Sequence, residues 1–157
     1  MFDLFSGLPV HVLVVHAVVI LLPLMSIVTF VVALRRSWRR SAAWWVVAAD
    51  LVVFLLALVA RQSGRNLQAR LSALLGSPVA VQHGRAGTLV PWFALGVLIA
   101  AILIALVARS GPVLVGLAIT LAAVTGAVAI GWTVYTGDLG ARAVWEKTIQ
   151  STKPPGG

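Results

Sequence analysis

The sequence predicts an all-α membrane protein: a four-transmembrane-helix bundle with both termini on the outer side and a short amphipathic helix in the outer loop. Three observations carry this expectation. Hydrophobic residues make up 61% of the 157-residue chain and charged residues only 10%, against about 25% charged in a soluble domain. Four stretches approach or exceed the roughly 20 apolar residues that cross a bilayer. The densest basic run, "RRSWRR", falls in the short connection between the first two of them. With a mean hydropathy of +1.04, a chain this short has no interior large enough to absorb its apolar surface, so lipid must take it up.

The four spans are expected at about residues 12–34, 42–60, 88–108 and 113–135, in one membrane domain over 1–145 followed by a flexible tail over 146–157. No Lys or Arg precedes the first apolar run, and Asp3 does. A secretory signal opens with positive charge, so the first span is read as retained. Pro23 lies mid-span, where it removes a backbone hydrogen bond and is expected to kink the helix. Arg35, Arg36, Arg39 and Arg40 then mark the inner side, because short cationic loops stay in the cytoplasm.

The second span carries Asp50, a carboxyl near mid-membrane that must face the bundle; its candidate partners are Ser26 and Thr29 on the first span and Thr120 or Thr125 on the fourth. In the outer loop, Leu67, Leu71, Leu74 and Leu75 form one apolar face, read as an amphipathic helix on the membrane surface. Ser77-Pro78 has the form of a helix cap followed by a first-turn proline, which puts His83 on an outward extension of the third span. The fourth span is rich in Gly, Ala and Thr, which admit close backbone approach and make it the expected packing centre. Trp38, Trp44, Trp45, Trp92 and Trp132 fall where interfacial aromatic belts are found.

Several functions have no support. The net charge of +8 comes without a nucleic-acid-binding motif, so lipid, and no nucleic acid, is the expected partner of the basic residues. Absence of Cys excludes thiolate catalysis, iron–sulfur clusters and C-x-x-C-H haem attachment. There is no phosphate-binding glycine fingerprint and no nucleophile elbow, which disfavours an enzyme.

The histidines carry the remaining chemistry. His11 and His16 open the first span about 7.5 Å apart along the axis and roughly 140° apart around it, too divergent to grip one ion together. With His83 they share the outer side. Two neutral imidazoles facing each other across the mouth of a four-helix bundle are the arrangement that holds a b-type haem. His16 and His83 are the expected axial pair, with His11 as substitute. Against this stand headgroup contacts for His11 and helix-packing hydrogen bonds for His16.

The fragments "GLPVHVLVVHAVVILLPL", "RQSGRNL", "HGRAGTLVPW" and "GDLGARAVW" resemble the bacterial membrane family known as domain of unknown function 2231. The resemblance runs from Gly7 to Trp145. It implies a four-helix protein of the bacterial cytoplasmic membrane in a redox setting, with His11, His16 and His83 at the family's histidine positions and Gly137 with Gly140 as its late glycine pair. Two departures stand out: Arg65 and Asp138 occupy positions where family members often carry an acid and a histidine. They suggest an Arg65–Asp138 ion pair.

Three functions compete at this point. The first is a small haem-binding or redox-accessory protein. The second is a non-catalytic subunit that binds a membrane partner or its own copies. The third is a proton or cation pathway from Asp50 toward His16.

Overall fold

A computed structural model of the chain describes residues 4–5, 8–71 and 77–152. Four of its helical stretches are long and apolar enough to cross a membrane: Val10–Leu34, Ala43–Ala69, Pro78–Val107 and Pro112–Glu146. The expected four spans are therefore present, each with different limits.

Helix α1 spans Val10–Leu34 and runs uninterrupted through Pro23. Its buried residues, Val18, Leu22, Ser26, Thr29, Val32 and Ala33, follow the three-and-four spacing of a single helical stripe. Before it, Leu4–Phe5 and Leu8–Pro9 form a two-residue antiparallel ladder, β1 and β2, that the all-helical expectation does not contain. After α1 the chain turns at Arg35 into the short helix α2, Arg36–Ser41.

Helix α3 covers Ala43–Leu71, so "RQSGRNLQARL" continues the second span as helix instead of leaving it at residue 60. The expected amphipathic surface helix begins inside this continuation, and its remainder at 72–76 lies outside the described residues. Helix α4, Pro78–Gly87, starts as the sequence predicts, with the Ser77 hydroxyl accepting from the Ala80 amide at 3.2 Å. A turn at Thr88 and Leu89 separates it from α5, Val90–Val107.

Helix α6 runs from Pro112 to Ser151, 40 residues. At 1.5 Å per residue that is about 60 Å, twice the thickness of the hydrocarbon layer. Residues 146–151 thus continue the helix where the sequence reading has a tail. The helix ends at Thr152, which leaves helical geometry while its amide donates to the Ile149 carbonyl at 3.2 Å.

The long helices form a closed ring in which α1 packs on α3, α3 on α5, α5 on α6 and α6 back on α1. The short connections make ring neighbours antiparallel, as in an up-down-up-down bundle. Small residues set the close approaches: Ala33, Ala57, Ala100, Ala101, Ala122 and Ala129 are nearly inaccessible. A Cβ on Gly126 would lie 3.5 Å from the Ser26 carbonyl oxygen. The fourth span is one partner among equals in this ring, and its Gly116, Thr120 and Ala127 face outward.

Candidate functional site

Four helices meet at the end of the bundle that holds the start of α1. Helix α4 continues the corner of α5 and packs on α6 and α3, which sets it diagonally opposite α1. His11, in the first turn of α1, and His83, on α4, face each other across this diagonal. Their ring centres are 6.5 Å apart and their planes meet at 70°.

Each imidazole is anchored on a flanking helix in the same manner. His11 Nδ1 donates to the Ala60 carbonyl of α3 at 3.0 Å, and His83 Nδ1 donates to the Thr136 carbonyl of α6 at 3.0 Å. A carbonyl can only accept, so each Nδ1 carries the proton. In the neutral form of such a ring the lone pair is left on Nε2, and the same backbone anchoring of the other nitrogen orients metal-bound histidines.

Four residues beyond each anchoring carbonyl stands a glycine against the ring. A Cβ on Gly64 would come within 2.9 Å of His11 Cε1, and one on Gly140 within 3.0 Å of His83 Cε1. The two halves of the chain, α1 with α3 and α4 with α6, thus build matching cradles of histidine, helix carbonyl and glycine. No sequence repeat announces this.

Other polar groups gather around the pair. The Ser63 hydroxyl donates to Val59 at 2.8 Å and lies 3.4 Å from His11 Nδ1. Thr133 returns its hydroxyl to the Ala129 carbonyl at 2.7 Å. The hydroxyl of Thr136, the residue that anchors His83, is buried and has no partner among the described residues; the same holds for Nε of Arg61, next to the Ala60 anchor.

His16 lies elsewhere. It is exposed on the outer surface of α1, with Nδ1 donating to the Val12 carbonyl of its own helix at 2.5 Å. The structure brings together His11 and His83, and it leaves His16, the residue expected to pair with His83, facing away from the bundle. Gly137, expected beside Gly140, has nothing within 4 Å of a Cβ. Asp138 bonds Arg142 at 2.8 Å, one turn along an exposed face, and forms no ion pair with Arg65 among the described residues.

Asp50 is buried far from this mouth. It accepts from the Thr29 hydroxyl at 2.7 Å, one of the partners its depth suggests. Ser26 and Thr125 instead donate to the carbonyls of Leu22 and Leu121 on their own helices, at 2.8 Å each. No group of three or more His, Cys, Asp or Glu that could hold a bare metal ion occurs among the described residues.

Fold and site together define a class: a small four-span helical membrane protein with two anchored histidines facing each other at one end. The chain belongs to the family described as predicted membrane protein DUF2231, whose family model matches residues 7–153 and so bears out the resemblance. Comparison with curated proteins and with solved structures gives no match.

Proposed function

We propose that this protein is a small b-type haem or redox-accessory protein of a bacterial cytoplasmic membrane, in which His11 and His83 would hold the haem and the histidine end lies on the outer side. The observation that supports it is the facing of the two imidazoles. Their ring centres are 6.5 Å apart.

The donor set fits the same group. A bare zinc ion asks for three or four protein ligands, whereas a haem brings its own four nitrogens and needs two. The unpartnered hydroxyl of Thr136 and Nε of Arg61 add buried polar atoms at the same mouth. Arg61, Arg65 and Arg85, on α3 and α4 near this end, offer cationic partners for the carboxylates of a porphyrin.

Bound there, a haem would supply one-electron transfer. The chain's own contribution is to hold both Nε2 lone pairs in place through the Ala60 and Thr136 carbonyls, and to let each ring sit against Gly64 or Gly140.

The test is an absorption spectrum of protein purified in mild detergent from haem-replete cells, oxidised and then dithionite-reduced. The expected result is a Soret band with reduced α and β bands, lost in His11→Ala and His83→Ala and kept in His16→Ala. A colourless wild type overturns the reading and favours a non-catalytic subunit whose histidines pin helices together.

A further inference from the structure

The opposite end of the bundle presents a cation cluster with no counter-charge among the described residues. The chain has four carboxylate side chains, Asp3, Asp50, Asp138 and Glu146. Only Asp50 lies between residues 35 and 112, and it is buried against Thr29. The same interval places Arg35, Arg36, Arg39, Arg40 and Arg109 in the two connections at this end.

One of these arginines is used by the fold. Arg39 is buried, and its guanidinium donates to the carbonyl of Ala33 in the last turn of α1. The others face outward. Arg36 and Arg40, one turn apart on α2, line a shallow, wide-open surface cleft together with Arg35 and Ser37. The Arg35 guanidinium is held 5.1 Å above the Trp38 ring.

The cleft also lies at a definite level of the membrane. α2 joins the end of α1 to the start of α3, and the neighbouring Leu34, Trp44 and Trp45 are all exposed. Exposed tryptophans at span ends mark the interfacial layer, so the exposed guanidinia of Arg35, Arg36 and Arg40 sit at the height of lipid phosphates. Arginine suits that ligand, because its planar fork bonds two phosphate oxygens at once.

We infer that the Arg35–Arg36–Ser37–Arg40 cleft is a binding site for the headgroup of an anionic phospholipid. The guanidinia take the phosphodiester, the Ser37 hydroxyl is available to a further oxygen, and the acyl chains run along the exposed apolar surface below Trp44 and Trp45. Net negative charge on the lipid decides the preference, because no carboxylate among the described residues pairs with these arginines.

The experiment uses the full chain in a neutral detergent, titrated with phosphatidylglycerol or phosphatidylcholine, with retained lipid counted by native mass spectrometry. Wild type should retain phosphatidylglycerol at least about tenfold better than phosphatidylcholine, as expected when several basic side chains act together. R36Q/R40Q should abolish the preference, whereas R65Q/R85Q, at the far end, should keep it. Each single variant carries the test should the double variant fail to fold. A preference that survives R36Q/R40Q, or that R65Q/R85Q removes equally, overturns the site. Inorganic phosphate that displaces the lipid at equal concentration assigns the cleft to a soluble anion and overturns the lipid.

Discussion

His83 leans on the backbone of Gly140 so closely that a single added carbon would stand 3.0 Å from its Cε1. The contact fixes the side of α6 that the ring can approach. Three residues earlier, Gly137 has open space at the same atom. The two glycines of "GDLG" therefore split into one position that shapes the site and one that does not. Gly140→Ala should displace the ring and cost about 1–3 kcal/mol as an overpacked contact. Gly137→Ala should leave stability unchanged or raise it by up to about 1 kcal/mol through helix propensity. Thermal unfolding of the two variants in one detergent separates them.

The matching cradle gives a second expectation. Gly64 meets His11 as Gly140 meets His83, so Gly64→Ala should be destabilising to a similar extent, about 1–3 kcal/mol. Combining it with His11→Ala should recover part of the loss, because the truncated side chain no longer meets the new methyl. Additive losses in that double-mutant cycle would show that Gly64 acts on something other than the ring.

Much of the bundle is legible in the sequence because lipid imposes simple rules. Span count, the Ser77 cap and the inward turn of Asp50 all follow from length, capping chemistry and the cost of a buried carboxyl. The choice between His11 and His16 was also written there, though less plainly. Thr29 must face inward with Asp50, and His11 precedes it by 18 residues, five turns of 3.6, which puts both on one face. His16 is off that face by roughly 140°. What sequence could not supply was the diagonal placement of α1 and α4, since it depends on which helices become ring neighbours. The helical extensions to Leu71 and Ser151 were obscured because hydropathy reports where lipid ends and says little about where a helix does.

The Thr29–Asp50 bond at 2.7 Å joins α1 to α3 inside the bundle. Hydrogen bonds between membrane helices are worth about 0.6 kcal/mol on average and up to about 1.7. A Thr29→Val and Asp50→Leu cycle should return a coupling in that range. Asp50→Asn keeps an acceptor for the Thr29 hydroxyl and should stay within about 0.5 kcal/mol of wild type. A loss of several kcal/mol in Asp50→Asn would mean that the carboxyl has a role this hydrogen bond does not capture.

Arg39 closes the far end of α1. Its guanidinium satisfies the Ala33 carbonyl, one of the last-turn acceptors that a helix cannot pair internally. Removing it in Arg39→Leu should cost about 1.5–3 kcal/mol, the range for a hydrogen bond from a charged donor. Arg109 is exposed, and Arg109→Leu in lipid-free detergent should change stability by no more than about 0.5 kcal/mol. Equal effects would assign the Arg39 contribution to net charge.

Orientation can be read directly, because the chain has no cysteine to remove first. Gln82 and Ser110 are both exposed, the first on α4 beside His83 and the second in the connection between α5 and α6. One crossing of the bilayer separates them. Under the proposed orientation the arginine-dense connection lies in the cytoplasm, so Gln82 should be accessible from outside and Ser110 should not. In intact cells a membrane-impermeant maleimide should therefore modify a Gln82→Cys variant and spare Ser110→Cys, with both reacting once the membrane is opened. The reverse pattern would put the histidine mouth in the cytoplasm, and any electron partner of that site would then have to be sought there.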